Sequence, residues 1–346
     1  MPGEHRVEAP THEPICKTVE MHTGGEPVRI IVSGFPEIKG ETILEQRRYV
    51  KEHLDHYRKC VLHEPRGHFD MFCALLVKPT VEQADLAVIF MHNDGYITMC
   101  GHVVISLARY AVDHGLVKNI TSPETKVNIQ CPCGLVTAYV AFDGKKAGAV
   151  RFISVPAFVY RTDIEVDVPR FGKLKVDISY GGAFYAFISA DKVGLDLKSS
   201  KIRDIADAAD EVSAAIKRQV KIEMAGNKDL SYLSGTILTD GNDSINGRTS
   251  SHVCVFGDRQ VDRSPCGSGV TARVALQHHK QLIQLNQTKS FQSCRTKAIF
   301  TGKPVKPVSI GQRQGVRVEI SGKGFYCGSS TFTLEQDDLI GRGFLL

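Results

Sequence analysis

Residues 102–115, HVVISLARYAVDHG, are apolar on nearly every side of a helix. A helix of that kind has to be enclosed by other structure, so it constrains the fold more than any other segment. A second stretch at helical spacing, GVTARVALQHHKQL, spans 269–282. Each is opened by a Cys-Gly turn: MCGH at 99–102 and PCGSG at 265–269. Far upstream of each turn stands a Gly-Gly pair, HTGG at 22–25 and SYGG at 179–182. Gly25 precedes Cys100 by 75 positions and Gly182 precedes Cys266 by 84. This faint repeat predicts two similar halves, each a sheet curled around one buried helix.

The remaining sequence is mostly strand-like. Runs at 27–34, 84–93, 125–132, 135–142, 149–160, 173–189, 252–257 and 315–322 are rich in Val, Ile, Phe and Tyr, punctuated by Gly, Pro or Asp. Further helices are expected over 41–62 and 204–220. The order is mixed α/β (α+β), without regular βαβ alternation. With 346 residues and 42% hydrophobic content, the chain has enough material for about two domains.

Several function classes are excluded at this level. No G-x-G-x-x-G follows a strand and no P-loop occurs, which speaks against dinucleotide and nucleotide sites. A net charge of +5 without any long basic run gives no nucleic-acid arm. No stretch of 18 apolar residues exists, so no membrane helix is expected. Residues 1–15, with Glu4, Glu8 and Glu13 and no apolar core, read as a flexible lead-in rather than a signal or transit peptide. The ten cysteines then read as reduced thiols of a cytoplasmic protein. Cys131 and Cys133 lack a second ligand pair, and His53 and His56 read as a solvated helix face, so no metal is expected.

Cys100 and Cys266 each fall at a helix N-terminus in this reading. The positive end of the helix dipole favours a thiolate there. The unpaired N–H groups of the same turns suit a substrate carboxylate, and Gly101, Gly267 and Gly269 let the backbone approach it closely. If the halves face each other, two thiols flank one bound carboxylate. One thiolate removes the Cα proton, the opposite thiol protonates the other face, and the helix amides stabilise the carbanion. No cofactor is needed.

MCGH (99–102) and DRSPCGSG (262–269) resemble the two signature motifs of the proline racemase family, and HTGGEP (22–27), EPRGHFDM (64–71) and YGGAFYAF (180–187) are similar to family segments. The resemblance covers about residues 16 to 346. It implies a diaminopimelate-epimerase-like fold of two pseudo-symmetric domains with the site between them: residues 16–160 plus about 335–346, and 161–334. It makes Cys100 and Cys266 the acid/base pair. Gly101, His102, Gly267 and Ser268 would contact the carboxylate through their turns, with His102 and Asp262 holding the ring nitrogen. A homodimer and a small-molecule substrate, proline or hydroxyproline, are implied as well.

The texture is most similar to the animal trans-3-hydroxy-L-proline dehydratases of this family, but those typically carry Thr where this chain has Cys266. Inversion needs a second proton donor and a thiol supplies one. The expected activity is therefore a two-base proline racemase, with 4-hydroxyproline 2-epimerase and trans-3-hydroxy-L-proline dehydratase as alternatives. Val103 matches neither the racemase nor the epimerase pattern. A silent imino-acid-binding homologue would keep the cleft without a competent thiol pair. A serine hydrolase through Ser264 or Ser268 lacks the G-x-S-x-G context. Tyr185 and Phe187 read as core strand residues, and Cys16, Cys60, Cys73, Cys254, Cys294 and Cys327 as inert thiols. His22, Arg66 and His68 are given no role.

Overall fold

A computed structural model describes residues 14–245 and 247–346; the expected lead-in lies almost wholly outside the described residues. The first half of the chain forms β1 (Pro14–Thr23), β2 (Glu26–Ser33), α1 (Ile43–His53), α2 (Asp55–Leu62), β3 (Phe72–Val77), β4 (Leu86–His92), β5 (Gly95–Ile97), α3 (Gly101–Asp113), β6 (Glu124–Cys131), β7 (Gly134–Phe142), β8 (Ala147–Ile153) and β9 (Ala157–Val168). The second forms β10 (Gly172–Tyr180), β11 (Phe184–Ser189), α4 (Ile202–Gln219), β12 (Leu233–Thr239), β13 (Ser250–Phe256), β14 (Gln260–Val261), α5 (Gly267–His279), β15 (Lys289–Ser293), β16 (Ile299–Ile310), β17 (Arg313–Gly322) and β18 (Gly324–Thr333). No helix among the described residues is long and apolar enough to cross a membrane.

The strand pairings repeat element for element. β1 pairs antiparallel with β2, β2 runs parallel to β3, β3 pairs antiparallel with β4, and β4 runs parallel to β6. In the same places β10 pairs antiparallel with β11, β11 is parallel to β12, β12 antiparallel to β13, and β13 parallel to β15. The parallel β2–β3 step needs a crossover, supplied by α1 and α2; the β11–β12 step uses α4. The weak sequence repeat is thus a full structural repeat of an α/β, sheet-rich fold.

The halves exchange one strand. β9 leaves the first half and lies along β10, while β18 returns from the second half and lies along β1. By pairing, the chain changes halves at Ala157 and again at Gly324, earlier than the expected 161 and 335. The run 149–160 therefore makes two strands, broken where Ser154 Oγ accepts the Val318 amide hydrogen. The run 173–189 is likewise split at Gly181–Gly182, where Gly182 has φ +98°. The helix expected over 41–62 breaks at Leu54 (φ −124°, ψ 12°) into α1 and α2. The Thr42 hydroxyl and Glu45 carboxylate form a capping box at its start.

Both central helices are enclosed as their apolar character requires. Every residue of α3 from Gly101 to Val112 is buried, as is every residue of α5 from Gly267 to Gln277. α3 packs on β1, β6, β7 and β8; α5 packs on β9, β10, β16 and β17. Each buried Val, Ile or Leu contributes about 1.5–3 kcal/mol by removal from water.

Candidate active site

The two helices meet at their first turns. A Cβ placed on Gly101 would lie 2.5 Å from the Gly267 Cα, and one on Gly267 would lie 2.6 Å from the Gly101 Cα. Only glycine at both positions permits this approach. The Gly-Gly turns complete the junction by crossing over. Gly24 packs on Ser264 and Pro265 of the opposite half, and Gly182 packs on Met99, with its carbonyl accepting from the Thr98 hydroxyl at 2.9 Å.

A cleft of about 470 Å³ opens over this junction. Cys100, Gly101, His102, Asp262, Cys266, Gly267 and Ser268, all expected at the site, line it. The first-turn N–H groups of α3 and α5 have no intrahelical acceptors, so two sets of orphan donors belong to one cleft. Two helix ends of this kind are chemically suited to an anion.

Burial overrides the helix dipole at Cys100. Desolvation pushes its thiol well above the ordinary value; the Val103 amide opposes this and loses. Helix position alone predicts a lowered value. The difference arises because Cys100 is buried beneath both halves, with Asp262, Cys266 and Glu26 nearby. His102 lies against it, Nδ1 at 3.3 Å from Sγ, with its ring edge-on to Phe72. Burial lowers His102 to about 3, which keeps the imidazole neutral. The Thr23 hydroxyl donates to the His102 carbonyl at 2.9 Å and fixes the turn.

Cys266 sits in the left-handed region, φ +59°, which is strained for a residue with a side chain. Its amide donates to Ser264 Oγ at 3.0 Å, and the Ser264 amide donates to Asp262 Oδ1 at 2.8 Å. A third tie comes from beneath. Arg273, fully buried, donates to Asp243 Oδ1 at 2.8 Å and to His252 Nδ1 at 3.0 Å. Arginine can only donate, so His252 Nδ1 is the acceptor and Nε2 carries the hydrogen. That Nε2–H donates to the Pro265 carbonyl at 2.5 Å, immediately before Cys266. The network holds the strained turn in place.

Asp262 is pushed up to about 6, chiefly by desolvation and against the hydrogen bonds from Ser264 and Cys266. Glu26 beside it is fully buried and raised well above the usual carboxylate range by desolvation and by the Asp262 charge. Its Oε2 accepts the Arg263 amide at 2.5 Å.

Four residues at or beside the site escaped the sequence reading. Tyr185 is no mere core residue: it lines the cleft and its hydroxyl meets Ser268 Oγ at 2.8 Å. Glu26, Ser264 and Cys254 also lie here, Cys254 within hydrogen-bonding reach of Cys266. Cys254 carried no signal, whereas Tyr185, Glu26 and Ser264 are members of the quoted YGGAFYAF, HTGGEP and DRSPCGSG segments. Phe187 is buried and does not line the cleft. Arg66 donates to the Thr333 and Gly341 carbonyls and so ties down the C-terminal segment. His22 stacks on Phe325.

Residues 18–345, almost the whole chain, match the proline racemase family. The chain belongs to the proline racemase family. It is 54% identical over 340 residues to the trans-L-3-hydroxyproline dehydratase of Xenopus tropicalis, covering 98% of each chain. It is 39% identical to the 3-hydroxyproline 2-epimerase of Burkholderia multivorans, covering 95% of this chain and 97% of that protein. Among solved structures it is similar to a probable proline racemase from Agrobacterium radiobacter K84 with bound carbonate, at a TM-score of 0.89, 25% identity and 96% coverage of both chains. The sequence favoured unsubstituted proline; these two relatives carry a 3-hydroxyl in their names.

Proposed function

We propose that the protein removes water from trans-3-hydroxy-L-proline. The observation that carries this is the 54% identity, over 98% of each chain, to a trans-L-3-hydroxyproline dehydratase, in a chain whose Cys100 stands at a helix start over the cleft. The names of the 54%-identical relative and the 39%-identical one support a 3-hydroxylated ring.

In this reading the substrate carboxylate lies over the orphan amides of both helices, and Asp262 faces the ring ammonium. The Cys100 thiolate takes the Cα proton. The electron pair is held by the carboxylate until the C3–O bond breaks. The hydroxyl leaves with one proton as water, and the enamine product tautomerises to the cyclic imine. Overall one water leaves, and no electrons are gained or lost.

A second outcome is favoured by Cys266. A thiol on the opposite face can return a proton to Cα and invert it, giving 2-epimerisation of the same substrate. Proline, lacking the 3-hydroxyl, could only be inverted.

Proton NMR in deuterium oxide with trans-3-hydroxy-L-proline, trans-4-hydroxy-L-proline and L-proline tests the reading. The expected result is loss of the 3-hydroxyproline signals and one equivalent of imine, trapped with 2-aminobenzaldehyde. D-proline from L-proline, with 3-hydroxyproline left intact, would overturn it in favour of a racemase.

The Asp262 assignment predicts a pH dependence. Below about 6 this carboxylate takes up a proton and the ring ammonium loses its partner. Accordingly kcat/KM falls up to about tenfold per pH unit below that point, as for any single required ionisation. Asp262→Asn lowers kcat/KM and removes that acid limb. The same shift acts on stability with the opposite sense. A carboxyl raised in the folded state contributes most below about pH 4, and that contribution is lost as pH rises through about 6. Asp262→Asn is therefore expected to melt higher than the parent at pH 7.5, measured calorimetrically; a lower Tm would contradict the burial argument.

A further inference from the structure

Two residues lining the cleft carry buried hydroxyls without a partner among the described residues. Tyr232 and Ser234, flanking the first residue of β12, line the same cleft as Cys100 and Cys266. The Tyr232 hydroxyl and Ser234 Oγ are both buried, and neither makes a hydrogen bond among the described residues. The other hydroxyls among the lining residues are paired: Tyr185 and Ser268 meet at 2.8 Å, and the Tyr96 hydroxyl donates to Asp55 Oδ1 at 3.0 Å. Buried hydroxyls are normally paired, and leaving one unpaired is costly. A pair of unpaired hydroxyls in a catalytic cleft is a place made for a polar group that arrives from outside.

Resting on the dehydratase reading above, we infer that Tyr232 and Ser234 are the specificity-determining residues that recognise the ring hydroxyl of the substrate. A hydroxyproline has three polar groups. The carboxylate is matched by the helix amides and the ring ammonium by Asp262. The third, the hydroxyl, is both a donor and an acceptor, as are Tyr and Ser hydroxyls. Proline occupies the same volume but leaves both protein hydroxyls unpaired, so the cleft selects against it. A site that hydrogen-bonds a substrate hydroxyl discriminates strongly against the analogue lacking it, because its own buried groups stay unpaired.

The test is Tyr232→Phe, Ser234→Ala and the double variant, each made, like the parent for comparison, in a Cys100→Ser background that does not turn the ligand over, and titrated calorimetrically with trans-3-hydroxy-L-proline and with L-proline. The expected readout is the ratio of the two Kd values. The parent binds the hydroxylated ring more tightly, and the preference falls about tenfold in each single variant and further in the double. The Tm of each variant stays level or rises, because an apolar group replaces an unsatisfied one. A ratio that does not move, or a parent that binds both ligands equally, would overturn the inference. Failure of the dehydratase reading is distinguishable: the parent would then prefer the hydroxylated ligand, and lose that preference in the variants, while the protein with Cys100 intact releases no water from it.

Discussion

Cys100→Ser is expected to abolish both Cα proton exchange and water loss from trans-3-hydroxy-L-proline. A serine hydroxyl is far less acidic than a thiol and cannot serve as the base near neutrality. Losing a positioned base lowers turnover by about 10²–10⁴-fold. Cys266→Thr is expected to behave differently. Dehydration needs one base, whereas inversion needs a donor on each face, so this variant keeps deuterium exchange and water loss while epimerisation falls into the background. The two readouts come from one NMR experiment in deuterium oxide with chiral analysis. If Cys266→Thr also stops water loss, the Cys266 thiol protonates the departing hydroxyl and both cysteines serve the dehydration. If Cys100→Ser keeps exchange, the assignment of the base is wrong. The high thiol value imposed by burial on Cys100 adds a further expectation. Its alkylation in the free protein is slow at pH 7 and accelerates with rising pH, since only the thiolate reacts.

Gly101→Ala is the second large effect. The added methyl would stand 2.5 Å from the Gly267 Cα, a backbone atom that cannot rotate away. The helix starts must separate, by roughly 1 Å if ordinary contact is restored. Overpacking of this kind costs about 1–3 kcal/mol. A displacement of that size at the reacting centre costs about 10²-fold in rate. Gly148→Ala provides the control, because its Cβ would meet Ala141 at an ordinary 3.5 Å. A folded Gly101→Ala protein with parental kcat would show that the approach of the two helices does not set the reacting geometry.

Local patterns were readable from the chain. The helical period of 102–115, its mostly apolar composition, and the Cys-Gly start forecast a buried helix opened at Cys100. The same pattern at 269–282, with the upstream Gly-Gly pairs, forecast the repeat. Strand boundaries were less legible where the chain turns or changes halves. At 154–156 and 181–182 the only local marks are Pro156 and the Gly181-Gly182 pair, and apolar runs resume directly after each break. The exchange of β9 and β18 was placed only to within about a dozen residues, because strand partners are chosen by long-range pairing rather than by local propensity.

The site divides in the same way. Its two thiols, the flanking glycines, His102, Asp262 and Ser268 stand in contiguous motifs, and a contiguous motif can be read along a sequence. Tyr185, Glu26, Tyr232 and Ser234 belong to distant strands or turns and become neighbours of those motifs only when the sheets curl. The ionisation of Cys100 was likewise undecided by the chain. A helix start favours its thiolate through a local dipole, but the opposing desolvation comes from residues far away in sequence that cover it. The sequence by itself therefore determined the repeat, the two buried helices and the family. Only the tertiary structure decided the lining of the cleft and the protonation of its groups, because both depend on which distant atoms exclude water from it.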